Sequence, residues 1–134
     1  RHPGGKLGSI LQKVSDLMHT GAEMPILEEN SDMQRVLLEM TSKRLGCVGF
    51  INSNGELTGM LTDGDLRRCL SPQILQEKAI NLMTKNPKTI SKDVMASEAM
   101  KIMHDKKITN IFVLENQKPI GVIHIHDLLN NGVA

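Results

Sequence analysis

Gly59-Met60-Leu61-Thr62-Asp63-Gly64-Asp65-Leu66 and Gly121-Val122-Ile123-His124-Ile125-His126-Asp127-Leu128 are two versions of one stretch, 62 residues apart. Each runs from a glycine through apolar residues to a polar residue, then to an aspartate and a leucine. A strand that ends in a short capped helix reads this way. A repeat of this kind marks a duplicated structural unit.

The duplication extends upstream. Met33, Val36, Leu37 and Met40 follow the i, i+3, i+4, i+7 spacing of an amphipathic helix, and Ala96, Ala99, Met100 and Met103 repeat it 63 residues on. Asn30 and Ser31 are cap candidates for the first helix, Asp93 for the second, and Gly46 is the expected stop of the first. Cys47 to Ile51 then predicts a strand, Asn54-Gly55 a tight turn and Leu57 to Thr62 the return strand. In the second copy Ile111 to Leu114, the turn Glu115 to Lys118 and Pro119 to His124 take these places. Short helices are expected over Asp65 to Leu70 and Asp127 to Asn131. Asp16-Leu17-Met18 matches Asn81-Leu82-Met83, each followed by an extended stretch, Met24 to Leu27 and Pro87 to Ile90. The expected organisation is a linker over 1–13, a first repeat over 14–70, a connector over 71–78 and a second repeat over 79–134. The fold class is α+β, small sheets packed on helices, with pseudo-twofold symmetry and two clefts between the repeats. Units of this size are marginal alone and are expected to bury their surfaces together.

Composition narrows the function. The chain has 134 residues, 16 Lys+Arg and 15 Asp+Glu, a net charge of +1. That balance gives no electrostatic case for nucleic acid or an acidic membrane surface. Trp and Tyr are absent and Phe occurs twice, so no aromatic base-stacking platform is expected. Nine Met fill core volume instead. No apolar run approaches the roughly 18–20 residues of a membrane span. Cys47 and Cys69 make no disulfide framework and are read as packing residues of a reducing, cytoplasmic compartment. The opening Arg1-His2-Pro3-Gly4-Gly5-Lys6 has no initiator Met and no signal region, as expected of a segment from a longer chain.

Candidate site residues cluster in the repeated stretch. Thr62 and Asp65 stand at a strand-to-helix junction, where N–H groups and a hydroxyl suit phosphate and a carboxylate can accept both hydroxyls of a ribose. The same residue types also make a capping box, and the two roles are compatible. His124 replaces the Thr in the second copy and Asp127 keeps the Asp. His is a poorer cap, which favours anion binding there. His124 and His126 alternate and would share a face in an extended stretch, which raises a metal reading with Asp127. The repeat already accounts for the segment, so no metal is assigned and no cofactor is expected. Asp63, Arg67 and Arg68 form a charged group that could bind phosphate or a sugar-acid carboxylate, or simply pair locally on a solvated face. Lys43-Arg44 and Lys106-Lys107 end the two long helices and complement their dipoles.

The two Gly–apolar–apolar–Thr/His–x–x–Asp–Leu motifs, with strand, helix, hairpin and helix around them, resemble a pair of CBS domains (a Bateman module). More narrowly, His2-Pro3-Gly4-Gly5, Asp16-Leu17-Met18-His19-Thr20-Gly21, Thr62-Asp63-Gly64-Asp65-Leu66-Arg67-Arg68 and His124-Ile125-His126-Asp127-Leu128 resemble the C-terminal half of the D-arabinose 5-phosphate isomerases. In that family a sugar-isomerase (SIS) domain precedes the CBS pair. The resemblance implies ribulose 5-phosphate/arabinose 5-phosphate interconversion in the parent protein, on the route to Kdo and lipopolysaccharide or capsule. It implies an acid/base role for His2 in the full-length enzyme, but no catalysis by this segment alone. It implies a nucleotide ligand at Thr62, Asp63, Asp65, Arg67, Arg68, His124, His126 and Asp127, with CMP-Kdo suggested by feedback logic and adenine nucleotides as the alternative. An empty scaffold that holds a homo-oligomer together is the competing role. A CBS pair from an IMP dehydrogenase, kinase or channel fits the His-Pro-Gly-Gly start less well.

Overall fold

A computed structural model describes residues 11–133. In chain order these form α1 (Val14–Leu17), a 3-10 turn (Gly21–Glu23), β1 (Ile26–Glu28), α2 (Met33–Lys43), β2 (Cys47–Ile51), β3 (Leu57–Thr62) and α3 (Asp63–Arg68). After a second 3-10 turn (Ile74–Gln76) come α4 (Ala79–Leu82), β4 (Thr84–Lys85), β5 (Thr89–Ser91), α5 (Ala96–Lys106), β6 (Asn110–Glu115), β7 (Lys118–His124) and α6 (Ile125–Asn130). The α+β expectation therefore holds. The strands make one sheet in the order β1-β2-β3-β4 and another in the order β5-β6-β7. In each, the first strand runs parallel to the second, because a helix carries the chain across between them.

Two compact units result. One contains 22–87 with Asn116–Lys118, the other 11–21, Lys88–Glu115 and 119–133. The core of the first gathers Leu27, Met33, Val36, Met40, Val48, Phe50, Leu61, Ile74, Ala79 and Met83. The core of the second gathers Val14, Ile90, Ala96, Ala99, Met100, Met103, Ile111, Val113, Ile123 and Leu128. The short helix that opens each repeat thus packs with the sheet of the other repeat: Ala79 of α4 lies in the first core and Val14 of α1 in the second.

The repeated glycines make this packing possible. A Cβ on Gly59 would land on the Sδ and Cγ of Met83, and one on Gly121 would land on the same atoms of Met18. Without side chains there, the leading segment bonds directly to the return strand. His19 N–H donates to Val122 O at 2.9 Å and Val122 N–H to His19 O at 3.0 Å, while Thr84 pairs with Met60 in the other unit.

Both long helices have 11 residues. Met33, Val36 and Met40 are buried on α2, with Leu37 half-buried, and Ala96, Ala99, Met100 and Met103 are buried on α5. Their ends differ from expectation. Asp32, one residue past Ser31, caps α2 by accepting from Arg35 N–H at 3.0 Å, and Met95 precedes α5 with no side-chain cap. Arg44 and Lys107 take the left-handed C-cap conformation, with Gly46 only following at φ 73°. The Cys47–Ile51 and Leu57–Thr62 strands match their predicted bounds. The two short helices begin two residues earlier than expected, directly after Thr62 and His124.

Candidate functional site

The two strand-to-helix junctions can be compared atom by atom. At the first, Thr62 Oγ1 accepts from Asp65 N–H at 3.1 Å and Asp65 Oδ2 accepts from Thr62 N–H at 3.0 Å, a reciprocal capping box. Asp63 N–H, the first of the helix, donates to Gly46 O at 2.9 Å. The other oxygen of Asp65 receives Arg68 Nη2 at 2.7 Å, from a side chain 73% exposed. Arg68 therefore pairs with Asp65 and not with Asp63. Arg67 lies exposed on the same helix, and the Asp63 carboxylate stands beside Gly46.

At the second junction His124 is an effective cap, contrary to the poor capping expected of it. Its Nδ1 accepts from His126 N–H at 3.0 Å, and Asp127 Oδ2 accepts from His124 N–H at 2.8 Å. The acceptor role at Nδ1 belongs to an imidazole without a proton on that nitrogen. Ile125 N–H donates to Thr109 O at 2.8 Å, the counterpart of the Asp63–Gly46 bond. His126 lies on the helix and not in an extended stretch, yet its ring centroid is 4.5 Å from that of His124. Among the described residues no group of three or more His, Cys, Asp or Glu is arranged to hold a metal. His2 lies outside the described residues.

One residue of this site escaped the reading of the repeated stretch. His19 Nε2 lies 3.0 and 3.1 Å from the two oxygens of Asp127. The signal was present, since Asp16-Leu17-Met18 matches Asn81-Leu82-Met83 and one further step sets His19 against Thr84. The two junctions thus share a backbone plan and differ in what holds the second aspartate oxygen.

Cys47 opens β2 and is fully buried. Burial, and secondarily the negative charge of Asp63, pushes its thiol up to about 12 from the ordinary 9.0. Because the folded thiol ionises later than the unfolded one, this contribution to stability is complete below pH 9.0. It is lost as the pH rises toward about 12. Cys69 is half-buried, with Sγ 3.6 Å from Leu66 O. Thiol labelling with iodoacetamide at pH 8, read by mass spectrometry, is expected to modify Cys69 first and Cys47 only on unfolding. Equal rates would contradict the burial assigned to Cys47.

The CBS domain family model matches residues 14–72 and 78–133, so the chain belongs to the CBS domain family and carries a pair of these domains. The arabinose 5-phosphate isomerase KdsD of Pseudomonas aeruginosa is 40% identical over 136 residues, which covers 98% of this chain and 42% of that protein. The chain therefore spans less than half the length of this relative. The CBS-domain protein ATU1752 of Agrobacterium tumefaciens superposes with a TM-score of 0.81 at 19% identity, covering 99% of this chain and 98% of that one. CBSX2 in complex with AMP superposes with a TM-score of 0.77 at 19% identity, covering 89% and 94%. No helix among the described residues is long and apolar enough to cross a membrane.

Proposed function

We propose that this chain is the regulatory CBS pair of a cytoplasmic D-arabinose 5-phosphate isomerase and that it binds a nucleotide-type ligand such as CMP-Kdo. The observation that carries the first half is the 40% identity to an isomerase of that name across 98% of the chain. The parent would interconvert ribulose 5-phosphate and arabinose 5-phosphate in an upstream SIS domain, for lipopolysaccharide synthesis. The pair itself would report ligand binding to that domain within a homo-oligomer and would catalyse nothing alone.

The nucleotide half is supported by the AMP complex of a structural neighbour and by the chemistry of Asp65. A carboxylate held by its cap can accept both hydroxyls of a ribose, while Arg67 and Arg68 offer cationic forks to a phosphate or a sugar-acid carboxylate. The scaffold reading is favoured by one observation: both capping boxes are satisfied internally, as a purely structural junction requires.

A thermal-shift titration with CMP-Kdo, CMP, AMP and ATP separates the two. A ligand at 100 times its Kd adds about 2.7 kcal/mol, which raises Tm by several degrees. A rise with CMP-Kdo that is lost in Asp65→Ala supports feedback sensing, and a rise with adenine nucleotides alone makes the pair an adenine-nucleotide sensor. No rise with any of the four leaves the scaffold.

A further inference from the structure

We infer that His19, supplied by the leading segment of the first repeat, closes Asp127 to a ribose diol, so that nucleotide recognition falls to Asp65. The inference rests on the nucleotide reading above and refines it. Repeated sequence predicts two equivalent aspartates, but their surroundings are not equivalent.

Both oxygens of Asp127 face His19 Nε2, at 3.0 and 3.1 Å, and one of them also receives His124 N–H at 2.8 Å. The imidazole sits on a shorter and less exposed side chain than Arg68, whose side chain is 73% exposed. The His19 backbone is fixed on both sides by the paired bonds to Val122, and its side chain is 29% exposed. A vicinal diol needs the carboxylate edge that His19 covers. With a proton on Nε2, as in the charged ring or the Nε2–H tautomer, the imidazole donates to that edge, and replacing a hydrogen bond to a carboxylate with a diol yields little net gain.

Asp65 accepts the equivalent cap N–H but differs in what holds its other oxygen. The position matching His19 is Thr84, on β4, which makes no bond to Asp65. The partner of Oδ1 is Arg68, a long side chain that is 73% exposed and one turn away on the same helix. An exposed ion pair of this kind is weak and is displaced by rotation about its side-chain bonds, without moving the backbone. Oδ2 keeps its bond to Thr62 N–H throughout. The cap that shapes the first junction therefore survives ligand binding, whereas at the second junction a diol would have to break the His19 pair.

Calorimetric titration with AMP and CMP, on the wild type and on Asp65→Asn, Asp127→Asn, His19→Thr and His19→Gln, tests this. Asparagine keeps the carbonyl that completes each cap, threonine is the residue at the matching position, and glutamine preserves a donor toward Asp127. The wild type is expected to bind one nucleotide per chain. Asp65→Asn should weaken it by at least about tenfold, and Asp127→Asn should leave it within a factor of about two. His19→Thr should raise the stoichiometry to two, His19→Gln should hold it at one, and adding Asp127→Asn to His19→Thr should return it to one. Loss of binding in Asp127→Asn with Asp65→Asn unaffected overturns the assignment, as does a His19→Thr chain that still binds one. A wild type that binds neither probe, with a His19→Thr chain that binds one through Asp127, removes the nucleotide reading but upholds the role of His19. No binding by any variant removes both. Unchanged Tm in His19→Thr excludes unfolding as the cause of any loss.

Discussion

Phe50→Ala is expected to destabilise the chain by about 3–5 kcal/mol, read by urea unfolding. Phe50 has no exposed surface and sits in the core with Leu27, Met33, Val36, Val48 and Leu61. It is one of two Phe in a sequence without Trp or Tyr. Against a total stability on the order of 5–15 kcal/mol, this loss approaches unfolding at physiological temperature. A cost below about 1 kcal/mol would show that the core collapses onto the gap and that Phe50 is not its centre.

Gly121→Val is the second large effect, and it acts through excess volume. The new Cβ would meet Met18 Sδ and Cγ, with Met18 Cβ at 3.1 Å. Met18 can turn, but its Cβ belongs to a segment fixed by the His19–Val122 bonds. A cost of about 1–3 kcal/mol is expected, at the level of other overpacked sites. Coupling to Met18 separates this cause from a general loss of strand quality. In a double-mutant cycle, Met18→Ala should recover at least about 0.5 kcal/mol of the Gly121→Val cost. Strict additivity would contradict the contact. Gly59 and Met83 repeat the arrangement in the other unit, so Gly59→Val should behave alike.

These two residues also show what was legible in the sequence. The periodicities of the long helices and the strand pair Cys47–Ile51 and Leu57–Thr62 were readable because side-chain burial repeats at 3.6 or 2 residues. The helix caps were less so. Asn30, Ser31 and Asp32 are all competent, and only the chain path selects Asp32. His124 was discounted because imidazole is an uncommon cap, yet Nδ1 reaches the His126 N–H once the helix starts at Ile125. His19 lies 108 positions from the aspartate it contacts. Local pattern carries no information at that separation. It could be found only by extending the match between the two leading segments one residue beyond Met18 and asking what Thr84 became.

Each leading segment packs in the core that holds the sheet of the other repeat. Val14 and Met18 belong with the sheet of the second repeat, and Ala79 and Met83 with that of the first.

Direct titration of the wild-type chain with CMP-Kdo and with AMP, at equal ionic strength, tests the central claim most closely. Saturable binding of one of them, weakened at least about tenfold by Asp65→Asn, is the result expected of a nucleotide-sensing CBS pair. No saturable heat with either ligand, in a chain that unfolds cooperatively, would contradict it and leave the pair as a structural connector.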